Sequence, residues 1–202
     1  MTVSRETVFG DRLPIVERYA EYLATAGVER GLIGPREVAR LWDRHIFNCA
    51  APVVRVPHGA TVADVGSGAG LPGVVWAIAR PDLHVTMIEP LLRRTTFLEE
   101  IATELGLANM SVLRARAEEV SDQYDVVTAR AVASLDKLSR WCMPLVRPGG
   151  MMLALKGRSA AEEVKKARGT LGRLNAGDVS IATYGEEWGL EVPTTVVEVQ
   201  RR

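Results

Sequence analysis

The spacing of apolar residues changes character at about residue 58. Before that point, apolar residues recur at helical intervals, first between Leu13 and Leu23 and again in a stretch that Pro35 opens. From residue 59 onward, short apolar runs alternate with longer amphipathic stretches. The pattern predicts a helical N-terminal segment over residues 1–58 and an α/β domain over residues 59–202.

The α/β domain is expected to contain a seven-stranded, Rossmann-like sheet. Strands separated by helices favour a mostly parallel sheet with helices on both faces, and the last two runs favour a closing antiparallel pair. The predicted strands cover residues 61–65, 83–89, 110–113, 124–129, 151–156, 179–184 and 194–200. Predicted helices cover residues 74–79, 91–105, 135–145 and 160–174. In the N-terminal segment, we expect Gly27, Gly31 and Gly34 to interrupt the helices.

Composition narrows the classes of function. The chain has 25 Lys and Arg against 25 Asp and Glu, so any affinity for nucleic acid must come from a local patch. Its two cysteines, Cys49 and Cys142, lie far apart, which favours a reducing cytoplasm and no bound metal. No apolar run approaches the ~20 residues of a membrane span, and the first residues are not those of a signal peptide.

A glycine-rich stretch, Asp64-Val65-Gly66-Ser67-Gly68-Ala69-Gly70-Leu71-Pro72-Gly73, follows the first predicted strand directly. Glycines there allow a tight turn and the close approach of a ligand to the backbone. An ordinary glycine-rich turn is the simplest interpretation, but the strand–loop–helix context favours a cofactor loop.

Two cofactors compete for this loop. Gly68, Gly70 and Gly73, with Glu89 about 20 residues on, fit the dinucleotide fingerprint. Gly66, Gly68 and Gly70 instead fit the acid-x-Gly-x-Gly-x-Gly loop of S-adenosylmethionine-dependent methyltransferases. Because the strand ends at residues 64–65, the first turn glycine is Gly66, and the second pattern is in register. Asp64 would also repel a pyrophosphate, whereas a sulfonium and an ammonium tolerate a nearby carboxylate.

Ligands of such sheets bind beyond the carboxyl ends of the strands, so each strand end is a candidate site. Glu89 ends the second strand and is placed to accept hydrogen bonds from a ribose. Residues 114–118 follow the third strand, where Glu118 or a backbone amide could meet an adenine edge, although Glu118 and Glu119 could equally begin a short helix. Arg130 ends a buried fourth strand, where a guanidinium needs a partner or a cleft.

The chain resembles the class I methyltransferases and, more narrowly, the glucose-inhibited division protein B family. Besides residues 64–73, the motifs that carry the resemblance are Ala79-Arg80-Pro81, Glu89, Arg44-His45-Ile46, residues 93–98, residues 116–119, Arg130-Ala131 and Leu155-Lys156-Gly157. They span nearly the whole chain. That family comprises bacterial enzymes that methylate ring nitrogen 7 of one guanine in 16S ribosomal RNA. One stretch, residues 31–34, departs from the family's Asn-Leu-Thr.

The resemblance implies S-adenosylmethionine as cofactor, with S-adenosylhomocysteine as product. It implies cofactor contacts at Gly66, Leu71, Ala117, Glu118 and Arg130, to which the loop and strand-end arguments add Asp64, Gly68, Gly70 and Glu89. It also implies as substrate 16S ribosomal RNA in the small ribosomal subunit or its precursor. We expect a cytoplasmic monomer that binds no membrane.

The residues themselves are consistent with that chemistry. Residues 130–132 replace the Asp/Asn-Pro-Pro-Tyr/Phe motif with which amino-group methyltransferases follow the fourth strand, and Cys142 lies in a helix rather than after a proline. A target without a proton to remove, such as guanine nitrogen 7, would need alignment rather than a general base. Arg130 and Lys156 are the candidates that position the base or its phosphate.

The candidate RNA-binding residues are Arg36, Arg40, Arg44, His45, Arg93, Arg94 and Arg158. The first three arginines lie four apart and could also be a solvated helix face, and His45 falls on an apolar face that could be core. Two further hypotheses remain at this point. They are a methyltransferase of the same fold that acts on a small molecule or protein, and a non-enzymatic nucleotide-binding module.

Overall fold

The computed structural model describes residues 3–202, and its N-terminal region is helical. Helices α1 (Arg5–Phe9), α2 (Leu13–Tyr22) and α3 (Phe47–Ala50) are joined and extended by short 3-10 or π-helical segments at Gly10–Arg12, Leu23–Gly27, Pro35–Arg40, Trp42–Ile46 and Ala51–Arg55. The prediction that Gly27 interrupts a helix is wrong. Gly27 is buried within a π-helical turn, where packing outweighs its low helix propensity. The helical run ends at Gly31, whose φ is +66°.

Seven strands form one sheet. They are β1 (Thr61–Val65), β2 (His84–Ile88), β3 (Met110–Leu113), β4 (Tyr124–Arg130), β5 (Val146–Lys156), β6 (Ala176–Tyr184) and β7 (Thr194–Arg201). Their order across the sheet is β3-β2-β1-β4-β5-β7-β6. Strands β1 to β5 are parallel, and β7 runs antiparallel to both β5 and β6. The predicted fold class, including the closing antiparallel pair, is confirmed.

Strand β5 begins five residues earlier than its hydrophobic run predicted. Val146 pairs with Tyr124, and after an irregularity Met151 pairs with Val126, so the Pro148-Gly149-Gly150 turn lies within the strand. A Cβ on Gly150 would lie 2.6 Å from the carbonyl oxygen of Asp125, which explains why a glycine occupies that bulge.

Helices cover both faces of the sheet. They are α4 (Gly73–Ala79), α5 (Leu92–Glu104), α6 (Leu135–Cys142) and α7 (Ala160–Arg173). One apolar cluster joins the N-terminal helices to α4, α5 and the sheet, and a second lies around α6 and α7. Trp76 is fully buried in the first cluster and donates a hydrogen bond from Nε1 to the carbonyl oxygen of Cys49 at 2.6 Å. A domain boundary at residue 58 stays a prediction.

The strand order reverses at β1, which lies between β2 and β4. Parallel strands that diverge in this way leave a crevice at their carboxyl ends, where ligands of such folds bind. Residues that follow β1, β2 and β4 therefore meet at one edge of the sheet. Within residues 3–202, no helix is long and apolar enough to cross a membrane.

Candidate functional site

The glycine loop, residues 66–72, connects β1 to α4 and needs its glycines. Gly66, Gly68 and Gly70 all have positive φ values, of 69°, 56° and 100°. A Cβ on Gly66 would lie 2.9 Å from Cγ2 of Val132, and one on Gly70 would lie 2.4 Å from Cγ2 of Val74. The loop therefore follows a path that residues with side chains adopt only with strain.

Asp64 precedes the glycine loop and forms a hydrogen bond with Gly73, the residue that follows the loop. Its side chain is fully buried, and its Oδ2 accepts a hydrogen bond from the backbone nitrogen of Gly73 at 2.9 Å. Its Oδ1 finds no partner among the described residues. Burial raises the pKa of Asp64 to about 7, and the nearby Glu89 carboxylate acts in the same direction. Asp64 lines none of the cavities described below, and its direct contact with a cofactor stays a prediction.

Glu89 connects the glycine loop to α5. Its Oε2 accepts hydrogen bonds from the backbone nitrogen of Gly68 at 3.1 Å and from Nη1 of Arg94 at 3.4 Å. Its Oε1 accepts a hydrogen bond from the backbone nitrogen of Leu91 at 3.1 Å. The side chain is 1% exposed, yet it lines a cavity beside the loop. The carboxylate thus holds the loop and also faces the candidate cofactor site.

Tyr19 reaches the same loop from the N-terminal region. Its hydroxyl donates a hydrogen bond to the carbonyl oxygen of Ala69 at 2.8 Å. In the sequence, Tyr19 belongs to the apolar positions between Leu13 and Leu23 that predict a helix, and no function was expected of it. The choice of tyrosine rather than phenylalanine was the available signal, because a buried hydroxyl needs a partner.

Two adjoining cavities share Gly66, Pro90 and Val132. The glycine-loop cavity, of about 590 Å³, is lined by Gly66, Gly68, Leu71, Glu89, Arg94 and Arg130, among others. The Glu118 cavity, of about 300 Å³, is lined by Gly66, Ala117, Glu118 and Trp141, among others. Together they contain all the predicted cofactor contacts except Asp64 and Gly70. Glu118 also lies in a 3-10 turn, Ala117–Glu119, as the short-helix interpretation predicted, and its contact with a cofactor stays a prediction.

Residues 31–34, which depart from the family pattern, contribute to this site. Leu32 and Ile33 line the glycine-loop cavity. Sequence reasoning assigned them no role.

A third cavity, the Lys156 cleft, adjoins the glycine-loop cavity on the other side. It has a volume of about 660 Å³ and shares His45, Arg130, Ala131 and Val132 with its neighbour. Besides Arg130, its charged wall residues are Glu37, Arg44, Lys156, Arg158 and Glu163. The cleft combines cations with two carboxylates at the carboxyl ends of β4 and β5, where a substrate would meet the cofactor loop.

Arg130 lies at the junction of the glycine-loop cavity and the Lys156 cleft. Its Nη1 donates a hydrogen bond to Sγ of Cys49 at 2.9 Å, and its Nη2 donates one to the carbonyl oxygen of Arg44 at 3.2 Å. Nη2 also lies 2.8 Å from Nδ1 of His45. Within residues 3–202, Arg130 forms no ion pair, and neither Asp64 nor Glu118 is its partner.

Lys156 is held within the protein. Its side chain is 8% exposed, and its ammonium donates hydrogen bonds to the carbonyl oxygen of Ala133 at 2.6 Å and to Oε2 of Glu163 at 2.8 Å. The same Glu163 oxygen accepts a hydrogen bond from the backbone nitrogen of Leu135 at 2.7 Å. Lys156 and Glu163 thus fix the loop between β4 and α6, in which Ala131 adopts a φ of 54°.

The predicted basic residues converge only in part. Arg44, His45 and Arg158 line the Lys156 cleft, and Arg94 lines the glycine-loop cavity. Arg36, Arg40 and Arg93 are exposed and line none of the three cavities. Their role in RNA binding stays a prediction. Among residues 3–202, no group of three or more His, Cys, Asp or Glu side chains could hold a metal ion.

Comparison with known proteins gives the family. The sequence model of the GidB family, described as rRNA small subunit methyltransferase G, matches residues 12–188. The chain belongs to this family. The finding confirms the resemblance that the glycine-rich stretch and its neighbouring motifs carried, and with it the class of enzyme, a methyltransferase.

Individual relatives agree with this membership. The ribosomal RNA small subunit methyltransferase G of Salinispora tropica is 53% identical over 210 residues, which cover 100% of this chain and 86% of that protein. The protein of the same name from Nocardioides sp. is 56% identical over 199 residues, covering 98% of this chain and 79% of its own length.

Solved structures support the fold. A protein described as a candidate S-adenosyl-L-methionine-dependent methyltransferase from Methanococcus maripaludis has a TM-score of 0.62 at 12% identity, covering 92% of this chain and 91% of that chain. A predicted O-methyltransferase from Agrobacterium tumefaciens has a TM-score of 0.60 at 17% identity. The match covers 77% of this chain and 79% of that chain.

Proposed function

We propose that this protein transfers a methyl group from S-adenosylmethionine to ring nitrogen 7 of a guanine in 16S ribosomal RNA. One observation carries the proposal beyond family membership. The glycine-loop cavity adjoins the Lys156 cleft, which is rich in cations, and Arg130 lies on the wall that the two share. A small cofactor and a larger anionic substrate could therefore meet at one point.

The residues beside the loop fit this cofactor. Gly66 lies between two cavities, and a Cβ there would enter the space against Val132. Glu89 offers a carboxylate directly after β2, suited to the hydroxyls of a ribose. Glu118, in the 3-10 turn that follows β3, is suited to the adenine end. When bound, S-adenosylmethionine supplies an electrophilic methyl group. No nucleophilic side chain is required of the protein.

The chemistry of the proposed target sets what the cleft must supply. Guanine nitrogen 7 carries a lone pair and no proton, so the protein need not supply a general base. What remains is alignment and the exclusion of water. Arg130 places a guanidinium on the cleft wall, and the N–H groups that Cys49, Arg44 and His45 do not use could meet a guanine edge or a phosphate. Lys156 contributes indirectly, because its contacts with Ala133 and Glu163 hold the cleft wall.

Recognition of RNA would be local. With no net charge on the chain, binding would rest on Arg44, Arg158 and Arg94 around the cavities and on the shape of the RNA. For this reason we propose the small ribosomal subunit or its precursor, rather than a free oligonucleotide, as the substrate. We further propose that the enzyme acts in the cytoplasm as a monomer.

The proposal is tested by mass spectrometry of ribosomal RNA. Loss of the protein should remove one 7-methylguanine from 16S RNA, and the purified protein should restore it on isolated small subunits in the presence of S-adenosylmethionine. Activity should fall steeply with added salt, because bound phosphates release counterions. Unchanged 16S RNA in cells that lack the protein would exclude this substrate.

A further inference from the structure

We propose that His45 and Glu37 are positioning residues that hold the guanidinium of Arg130 at the junction of the two cavities, and that this arrangement works only while His45 is neutral. The inference rests on the proposed function, because it assigns a task to Arg130 in methyl transfer. The sequence predicted that His45 contacts RNA, and it predicted no role for Glu37.

The three side chains form a continuous hydrogen-bonded chain. Oε2 of Glu37 lies 2.8 Å from Nε2 of His45, and Nδ1 of His45 lies 2.8 Å from Nη2 of Arg130. Glu37 and His45 both belong to the N-terminal region, whereas Arg130 ends β4. The N-terminal region thereby fixes a side chain that the sheet alone would leave at a strand end.

The direction of each hydrogen bond follows from the donors. A guanidinium can only donate, so Nδ1 of His45 must accept from Arg130 and carry no proton. The ring proton then lies on Nε2 and is donated to Glu37, whose carboxylate selects this tautomer. An imidazolium would place an N–H against the guanidinium, which would break the bond and add repulsion between two cations.

Burial favours the neutral form of the His45 ring. Burial lowers the pKa of His45 below its ordinary value, and the cations of Arg130 and Arg44 lower it further, while Glu37 acts in the opposite direction. The other charged groups around the cleft are Lys156, Arg158 and Glu163. Lys156 and Glu163 are paired with each other. His45 should therefore remain neutral at physiological pH and become charged only in acid.

The identity of the partners argues for a role beyond packing. Arg130 is held by an imidazole, a thiol and a carbonyl oxygen, all of them uncharged. A carboxylate partner would hold the guanidinium equally well but would neutralise its charge. Uncharged acceptors fix the orientation and leave the positive charge available to an anionic or electron-rich substrate.

The test uses methyl transfer to isolated small subunits, with kcat measured against pH at saturating cofactor. The wild-type rate should fall as the pH decreases through the pKa of His45, below about 6.5. His45→Asn keeps an acceptor near the Nδ1 position and cannot be protonated, so its rate should be lower but should lose the acidic decline. Glu37→Ala removes the acceptor that fixes the His45 tautomer and should lower kcat about tenfold, equivalent to a ~1.4 kcal/mol loss in the transition state.

A second variant separates charge from hydrogen bonding. Glu37→Gln keeps an acceptor for Nε2 but removes the charge that favours imidazolium. Its acidic decline should therefore move to lower pH, and it should retain more of the rate than Glu37→Ala. His58→Asn is the matched control, because His58 is 89% exposed and lies outside the cleft, and its profile should equal that of the wild type.

The outcomes separate this inference from the proposed function. If the wild-type protein transfers no methyl group to small subunits, the proposed function fails. If the wild type is active but His45→Asn keeps the wild-type acidic decline, or if the Glu37 variants change only KM for RNA, the positioning role is wrong. Circular dichroism of each variant shows whether a lost rate reflects lost folding, and Glu37→Gln tests the idea even where Glu37→Ala unfolds.

Discussion

The hydroxyl of Tyr19 donates a hydrogen bond to the carbonyl oxygen of Ala69 at 2.8 Å, although the two residues lie 50 positions apart. Tyr19 belongs to α2 in the N-terminal region, and Ala69 lies at the centre of the glycine loop. A Cβ on Gly70 would come within 3.0 Å of the same hydroxyl. The N-terminal helices therefore help to shape the candidate cofactor loop.

Tyr19→Phe should weaken cofactor binding while the fold persists. Phenylalanine fills the same space, so only one buried hydrogen bond is lost, at a cost of about 0.5–1.5 kcal/mol. Isothermal titration calorimetry with S-adenosylmethionine should show a severalfold rise in Kd. Tyr22→Phe is the control, because Tyr22 lies on the same helix and lines none of the three cavities. If Tyr19→Phe and Tyr22→Phe bind S-adenosylmethionine with equal affinity, the Tyr19 hydroxyl does not contribute to cofactor binding.

Gly66→Ala should abolish cofactor binding, and Gly59→Ala should not. The two glycines have nearly the same φ, 69° and 68°, so the backbone strain of the substitution is matched. Only at Gly66 would the new Cβ meet another atom, Cγ2 of Val132 at 2.9 Å, between the two cavities.

Calorimetry measures the binding, and thermal unfolding shows that both variants fold. Gly66→Ala combined with Val132→Ala removes the clash with the side chain but leaves the methyl group beside the cofactor site. If Gly66→Ala binds as the wild type does, the loop is not where the cofactor lies.

The burial of Asp64 should make the protein less stable as the pH rises. The pairing of Asp82 with Arg80 should make it less stable as the pH falls. The pKa of Asp64 is raised from 3.8 to about 7, so the folded state favours the protonated acid. That favourable contribution is complete below the unfolded value and is lost as the pH rises through about 7. Asp64→Asn should therefore gain in Tm relative to the wild type as the pH increases from ~4 to ~8.

The pKa of Asp82 is shifted in the opposite direction from that of Asp64. Hydrogen bonds from Arg80 hold the pKa of that carboxyl well below its usual range. Its contribution is present at neutral pH and is lost as the pH falls through the folded value. Asp82→Asn should lower Tm at neutral pH and matter less in acid. Thermal unfolding of both variants across pH is the measurement. If Tm of Asp64→Asn and Tm of the wild type change equally with pH, the pKa of buried Asp64 is not raised.

The sequence was most informative where local pattern determines structure. Apolar runs gave β1 and β3 at their observed limits, and strand ends pointed to Glu89 and Arg130, because the carboxyl ends of parallel strands meet at one edge. Contacts that depend on packing between distant segments were not predictable. The hydrogen bond from Tyr19 to Ala69 is one, and the chain from Glu37 through His45 to Arg130 is another.

The contacts of Lys156 were not predictable either. Its position at the end of β5 followed from the pattern, and the sequence therefore offered it as a residue that holds the base or its phosphate. The structure places its ammonium against Glu163 and the carbonyl oxygen of Ala133. Glu163 lies on α7, and no local pattern relates that helix to the end of β5. Direct contact of Lys156 with substrate stays a prediction.

Arg130→Ala should damage methyl transfer far more than stability. The guanidinium has no ion pair within residues 3–202, so its removal leaves no unpartnered buried carboxylate of the kind that makes broken buried pairs costly. The acceptors it would leave are a thiol, an imidazole and a carbonyl oxygen beside a cleft that water can enter. Tm should therefore stay near that of the wild type, while kcat falls at least about tenfold, the cost of a ~1.4 kcal/mol loss in the transition state.

Arg130→Lys distinguishes charge from geometry. A lysine keeps the positive charge but cannot contact Cys49, Arg44 and His45 from one planar group, so it should restore only part of the rate. Arg147→Ala is the control, because Arg147 lies near the start of β5, at the opposite edge of the sheet, and is paired with Asp125. Thermal unfolding and methyl transfer to small subunits are measured on all three variants. A large loss of Tm in Arg130→Ala, with activity lost in proportion, would make Arg130 a structural residue that ties β4 to the N-terminal helices.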